Sequence, residues 1–195
     1  MKWFDLTLYG DTAEKGHYMS SKGDLQGYKN WHFTMAKKIE NWDGTAWLKS
    51  VERYFDGSPT DVLGNDYALP IYSQKLRDAL DNAEITGIQY LPIKVYHRNG
   101  DEIKGYAIAN ILNIVPALDL SKSDYQVYPN DHFLPERRGK VRYVGKIVLK
   151  KSKLNGYDVI RLVDYDVVEL VSSRFKEAFE KAKCNGYTFT EVELS

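Results

Sequence analysis

The sequence predicts an α+β fold with a mostly antiparallel sheet and two principal helices. Three observations lead to this class. A segment with a helical apolar stripe occurs twice, two Asn-Gly pairs lie between strand-like runs, and several short segments alternate apolar with polar residues. Helices and strands that do not alternate regularly along the chain are typical of α+β domains.

The repeated segment spans residues 73–93 and 172–192, which align without a gap at a separation of 99 residues. Ser73 and Ser172 are predicted to cap the first turn of a helix in each copy. Gly87 and Gly186 are predicted to leave that helix in a left-handed conformation. Each copy has four apolar residues at helical spacing: Leu76, Ala79, Leu80 and Ala83 in the first, and Phe175, Ala178, Phe179 and Ala182 in the second.

Each helix is followed by a run of strand-forming residues, Ile88–His97 in the first copy and Tyr187–Leu194 in the second. The repeated unit is therefore a helix, a glycine and a strand. Duplication and convergence on a common pattern both explain the match, and the absence of gaps favours an internal pseudo-repeat. A period of 99 residues is too long for a solenoid.

Two hairpins are predicted from Asn-Gly pairs, which suit the positive φ angles of a type I′ turn. Asn99-Gly100 separates Tyr90–Arg98 from Tyr106–Val115. Asn155-Gly156 separates Val141–Lys150 from Tyr157–Val163. Further strands are predicted at Trp3–Leu8 and Asp166–Val171, and Ala46–Phe55 fits a strand or a short helix.

The length of 195 residues suits a single domain. Within it, residues 1–68 contain all four tryptophans and are expected to be loop-rich, with Gly10–Asn30 as long loops, while residues 69–195 hold the repeat-containing core. Neither a secretory signal nor an apolar run of the roughly 20 residues needed to cross a membrane is evident. We therefore expect an intracellular, soluble protein that does not contact a membrane.

Known catalytic patterns do not emerge from the sequence. The four histidines are scattered, the segment around Gly139 and Gly145 departs from a phosphate-binding loop, and the single cysteine, Cys184, is expected to be a small buried residue. Asp164 and Asp166 would share one face of a strand, where they either hold a cation or form a solvated face, with Val163, Tyr165 and Val167 turned inward. The sequence predicts no catalytic, metal or cofactor site.

Charge is distributed unevenly, although the 27 basic and 27 acidic residues cancel. Residues 137–153 contain eight cations and no acid, and residues 40–66 contain six acids and two cations. Such separated charge favours docking to another protein, but the basic stretch also fits a solvated sheet face or an RNA- or phosphate-binding surface. Zero net charge argues against nucleic acid. The predicted partner-binding residues are Arg137, Arg138, Arg142, Lys146, Lys150, Asp56 and Asp61, with Arg142, Lys146 and Lys150 on one strand face.

Three segments together resemble immunity protein family eleven of bacterial polymorphic toxin systems. They are Asn41-Trp42-Asp43-Gly44 with the following Gly57–Ala83, then Tyr106–Tyr125, then Val171–Gly186. Within the second, Asp119, Ser121 and Ser123 predict a turn bonded through side chains. The resemblance implies a non-enzymatic cytoplasmic antidote that binds and neutralises a cognate toxin without a cofactor. The alternative is an RNA- or phosphate-binding module that uses residues 137–153.

Overall fold

The structure is a computed structural model that describes residues 1–8, 18–19, 21–50 and 59–195. Over these residues the chain forms two α-helices and many short strands in four mostly antiparallel or mixed sheets, which confirms the predicted α+β class.

In chain order the elements are β1 (Trp3–Leu8), β2 (Tyr18–Met19), β3 (Ser21–Asp24), β4 (Trp47–Ser50), β5 (Val62–Asn65), β6 (Ile71–Ser73), α1 (Gln74–Asn82), β7 (Ile88–Pro92), β8 (Lys94–Tyr96), β9 (Glu102–Ile103), β10 (Tyr106–Ile111), β11 (Ile114–Val115), β12 (Asp124–Val127), β13 (Val141–Lys146), β14 (Val148–Leu149), β15 (Val159–Leu162), β16 (Leu170–Ser172), α2 (Ser173–Lys181) and β17 (Tyr187–Leu194). Short 3-10 helices occupy Asn30–Phe33, Pro135–Arg137 and Lys151–Lys153.

Each of the two largest sheets contains a strand that leads directly into a helix, β6 into α1 and β16 into α2. One has the order β2-β5-β6-β10-β7, and the other has the order β11-β15-β16-β1-β17-β14. Tyr106 of β10 lies opposite Ser73, and Trp3 of β1 lies opposite Ser172 in the same relative register. Strand β10, which lies between β6 and β7, follows α1 in the chain, whereas β1, which lies between β16 and β17, comes long before α2 in the chain. Two distant segments therefore complete the second sheet.

Helices α1 and α2 pack together over a shared core. The predicted stripes supply its centre, since Leu76, Leu80, Phe175 and Phe179 are all buried there. Both serines cap as predicted: the Ser73 hydroxyl accepts from the amide of Leu76 at 3.1 Å, and that of Ser172 accepts from the amide of Arg174 at 3.2 Å. The pattern of caps and apolar residues therefore identified both helices.

The helices end differently from the prediction. Glu84 (φ 55°) and Lys183 (φ 53°) take the left-handed conformation directly after the two C-caps. Gly87 (φ 86°) and Gly186 (φ 109°) have positive φ as predicted, but they lie three residues further on, at the entry to β7 and β17. A side chain on Gly186 would lie 2.6 Å from the carbonyl oxygen of Val62. Close approach to β5, together with the positive φ, therefore requires glycine there, while Lys183 makes the exit from the helix.

The hairpin predictions had mixed outcomes. Strands β8 and β9 form an antiparallel hairpin around Asn99-Gly100, although only Gly100 has positive φ, so the turn is not type I′. The hairpin predicted around Asn155-Gly156 is wrong, because β15 pairs with β16 and β11 instead. Gly156 has positive φ in a turn, but a 3-10 helix precedes it and the flanking strands separate.

Strand boundaries also changed with tertiary pairing. The strand predicted at Ile88–His97 breaks at Ile93, so β7 and β8 join different sheets. Trp3–Leu8 and Tyr187–Leu194 are strands with the predicted bounds, and Asp166–Val171 contributes only the start of β16.

The N-terminal residues 1–68, expected to be loop-rich, contain β1 to β5 among those that the structure describes. Two of these strands, β2 and β3, lie within Gly10–Asn30, where long loops were predicted. In the ambiguous segment Ala46–Phe55, residues 47–50 form a strand, and residues 51–58 lie outside the described ranges.

A second core joins these N-terminal strands to the rest of the chain. Leu25, Phe33 and Leu48 pack in one buried cluster with Ile71 and Leu91. Within the residues that the structure describes, no helix has the length and hydropathy needed to cross a bilayer.

Candidate partner-binding surface

A turn bonded through side chains leads into an exposed two-stranded segment. The Asp119 carboxylate accepts from the Ser121 hydroxyl at 2.6 Å and from the Ser121 amide at 3.1 Å, and these bonds hold the pKa of Asp119 below its usual value. The Ser123 hydroxyl accepts from the amide of Val148 at 3.0 Å. This confirms the predicted turn and fixes where the next strand begins.

Residues 124–146, here called the arm, form a separate two-stranded sheet. Strands β12 and β13 pair only with each other, with two register shifts, and every residue of β12 is exposed. Val144 is the buried exception at 8% exposure, and it packs in the cluster that contains Leu118 and Leu149. One buried side chain and the Ser123 turn therefore hold the base of the arm.

The tip of the arm, residues 128–140, is ordered by its own contacts. Tyr128 donates its amide to the carbonyl of Lys140 at 2.9 Å, and its carbonyl accepts from the amide of Gly139 at 3.1 Å. The Tyr128 ring lies 4.8 Å from that of His132 and 5.5 Å from the Arg137 guanidinium, counted to the ring centroid. The Arg138 Nε donates to the carbonyl of His132 at 2.8 Å. The tip is consequently a loop with a defined conformation, held by its own backbone and side-chain contacts.

The predicted residues Arg137, Arg138 and Arg142 all lie on this arm and are exposed. In the described ranges of the chain, none of these three guanidinium groups forms an ion pair with a carboxylate. Arg137 and Arg138 use only some of their hydrogen-bonding capacity, on Tyr128 and His132. The arm thus presents guanidinium groups with donors that remain available to an acidic group of another molecule.

Lys146 and Lys150 differ from the prediction of one continuous strand face. Strand β13 ends at Lys146, and Lys150 follows β14, which belongs to another sheet. The two register shifts between β12 and β13 also interrupt the alternation of faces. Lys146 is already paired with Glu193 at 2.7 Å, which lowers the pKa of Glu193. The predicted stripe is therefore divided between the arm and the chain beyond it, and its member Lys146 is engaged in an ion pair.

Asp61, one of the two predicted acidic residues, does not lie on an exposed surface. Asp61 is only 9% exposed, and its carboxylate accepts from the Ser73 hydroxyl at 2.7 Å, from Lys75 at 3.1 Å and from the Asn185 amide at 3.0 Å. Burial removes Asp61 from the surface that a partner could contact. Asp56 lies outside the described residues.

Asp158 repeats this role in the second sheet. Its carboxylate accepts from the Ser172 hydroxyl and from Arg174, both at 2.6 Å. Arg174 also donates to the carbonyl of Ala83 at 2.8 Å, at the end of α1. Reciprocally, Lys75 donates to the carbonyl of Lys183 at 2.7 Å, beyond the end of α2. Each cation therefore links a buried aspartate near its own helix to the end of the other helix.

The Asp164-Asp166 prediction is wrong in its premise, since residues 163–169 form a loop after β15. Val163 and Val167 are exposed, not turned inward, and the Asp166 carboxylate accepts from the Thr34 hydroxyl at 3.0 Å. Across the residues that could be searched, which are those the structure describes, no three histidine, cysteine or acidic side chains cluster in a way that could hold a metal ion.

Arg161 and Tyr187, two buried ionisable groups, both contact the carboxylate of Glu169. Arg161, at 2% exposure, pairs with Glu169 at 2.8 Å, and Glu169 also accepts from the Tyr187 hydroxyl at 3.0 Å. Burial raises the pKa of Tyr187 well above its usual value and that of Cys184 to about 11. A thiol with this pKa is protonated near neutrality and is a poor nucleophile. The Arg161–Glu169 pair and the Tyr187 hydroxyl link β15 to β17, whereas Cys184 is only half-buried and the prediction of a small buried residue holds in part.

Sequence reasoning missed the aromatic residues Tyr128, His132 and Phe133 of the arm. The search for hairpins relied on Asn-Gly pairs, and the arm has a long connection instead. The signal was present as Tyr128-Pro-Asn-Asp131 between two strand-forming runs, because such clusters are typical of turns.

Comparison with known proteins places this chain among the immunity proteins. The model of the immunity protein family Imm11 matches residues 10–194, nearly the whole chain. The chain therefore belongs to the Imm11 immunity protein family, as the resemblance of its three segments predicted. No curated protein matches it.

Proposed function

We propose that this protein is an antidote that binds the toxin domain encoded beside it and neutralises that domain without catalysis, in the cytoplasm of the producing cell. The observation that carries the proposal is the family match over residues 10–194. Physical support comes from the arm, whose arginines lack carboxylate partners within the described chain. Charged groups of this kind steer association with a surface of opposite charge.

We further propose that the chain is one domain built from two pseudo-symmetric helix–glycine–strand units. The matching strand registers, the two Ser-capped helices and the reciprocal contacts of Lys75 and Arg174 support this. Residues shared by both units serve as caps, core and chain exits. Recognition of a partner is then expected in segments that belong to neither unit, and the arm is an exposed segment of this kind.

Co-expression with the neighbouring toxin tests the function. Cells that make both proteins should grow, and the two should co-elute on size exclusion as one complex. Charge reversal by Arg142→Glu should slow association, while Lys104→Glu, at an exposed lysine outside the arm, serves as the matched control. Cells that die despite abundant folded antidote, with no complex detected, would exclude the proposal.

A second candidate is an RNA- or phosphate-binding module that uses residues 137–153. It is favoured by the exposed Tyr143 ring within a group of exposed cations, an arrangement that suits stacking on single-stranded nucleic acid. This candidate predicts binding of a single-stranded RNA oligonucleotide that weakens steeply as salt rises. Absence of binding at low salt rejects it.

A further inference from the structure

Phe133 is the most exposed large apolar side chain among the residues that the structure describes, at 79% exposure. It lies within the arm tip, where the ring of His132 is 4.6 Å from its own. It belongs to none of the buried clusters, so its apolar surface contributes little to this fold. Burial of such a large aromatic side chain against a second molecule would remove its apolar surface from water and so favour binding.

The chain around Phe133 is ordered before any partner arrives. The Leu134 amide donates to His132 Nδ1 at 3.2 Å, and Pro135 begins a short 3-10 helix that ends at Arg137. With the Tyr128, His132 and Arg138 contacts described above, these bonds restrict the loop. Binding through a restricted loop loses less conformational entropy than binding through a flexible one.

Four cations follow this aromatic residue within nine positions of the chain. Arg137, Arg138, Lys140 and Arg142 are exposed and, within the described chain, form no ion pair; the nearby acids on the tip itself are Asp131 and Glu136. Aromatic side chains and arginine are the types most enriched where interfaces concentrate their binding energy. The complementary surface is an apolar pocket with carboxylates at its rim.

We infer that Phe133 is the anchor of the toxin interface and that it inserts into an apolar pocket, rimmed by carboxylates, on the toxin domain. This inference rests on the function proposed above. A protein partner is favoured over nucleic acid because Asp131 and Glu136 lie among the cations of the tip. Two carboxylates would repel a phosphate backbone, whereas on a protein interface they pair with lysine or arginine of the partner.

The test measures binding of the isolated toxin domain to Phe133→Ala by calorimetry. We expect Kd to rise roughly 30-fold, the size that marks an interface hot spot, with the melting temperature unchanged. The matched control is Val167→Ala, which trims another exposed apolar residue (62% exposed) outside the arm. The Kd of this control should stay within about twofold of wild type.

A second variant tests the charged rim independently. Arg142→Glu should lower the association rate about tenfold at low salt, and the difference should shrink at high salt because screening weakens steering. If wild type binds the toxin and Phe133→Ala binds equally well, the anchor is wrong while the antidote function stands. If wild type binds single-stranded RNA and not the toxin domain, both are overturned.

Discussion

Replacement of Gly186 by alanine tests whether the close approach of this residue to Val62 of β5, and not only its positive φ, requires glycine. Gly186 has φ +109°, a conformation that costs an L-residue about 1–3 kcal/mol. The new Cβ would also lie 2.6 Å from the carbonyl oxygen and 2.9 Å from the Cβ of Val62. Overpacking of this kind adds about 1–3 kcal/mol, so the free energy of unfolding should fall by about 2–6 kcal/mol.

Gly156→Ala is the matched control. Gly156 also has positive φ, +84°, but nothing lies within 4 Å of its added Cβ. Only the backbone penalty of about 1–2 kcal/mol is expected. Gly87→Ala should fall between the two, because its Cβ would meet the Asn113 side-chain amide, which can move.

Urea unfolding of the three variants and the wild type measures these differences, with the m-value checked for constancy. A requirement for close packing would be refuted if Gly186→Ala and Gly156→Ala lowered the free energy of unfolding equally, within about 0.5 kcal/mol. Equal losses would mean that the strands separate freely at Val62 and that close packing does not require this glycine.

Three further predictions concern charged and titratable groups. Burial raises the pKa of Asp5, so the folded state binds the proton of this carboxyl more tightly than the unfolded state does. Asp5→Asn should therefore raise the melting temperature at pH 7, where the ionised carboxylate destabilises the folded state. The gain should vanish below about pH 3.8, where the carboxyl is protonated in both states. A gain that persists at pH 3 would contradict this. Arg174→Ala should lower the free energy of unfolding by about 1–2 kcal/mol, because Asp158 loses its cation. Arg174→Lys should retain most of the wild-type stability, because Lys75 makes the equivalent pair of contacts from its own helix. An equal loss in both variants, measured by urea unfolding, would refute the equivalence. Cys184, with its pKa raised to about 11, should react with a thiol reagent at pH 8 much more slowly in the native protein than in urea, and equal rates would show the thiol to be exposed.

The helices and their caps could be predicted from sequence because the signals are local. Ser73 and Ser172 bond amides two or three residues away, and the apolar stripes depend only on the 3.6-residue period. Trp3–Leu8 and the Asp119 turn were found for the same reason. The exits through Glu84 and Lys183 were missed because a charged residue carries no glycine-like signal for positive φ.

Strand partners could not be predicted because pairing joins distant residues. The run Val141–Lys150 looks continuous, yet β13 pairs with β12 while β14 pairs with β17, so the expected basic stripe divides. Asp61 was expected to be a surface acid within an acidic stretch. It is buried because Asn185, which is 124 residues away in the chain, brings the second unit against it.

The sequence by itself determined the α+β class, the two capped helices, the family and the excess of cations after residue 136. Each depends on composition, local spacing or motifs that lie within a short stretch of chain. Only the tertiary structure decided which of the predicted charged groups remain available to a partner. Asp61 is buried and Lys146 is paired with Glu193, whereas Arg137, Arg138 and Arg142 are exposed on the arm that also carries Phe133. Exposure depends on what the rest of the chain covers, and no local pattern contains that information.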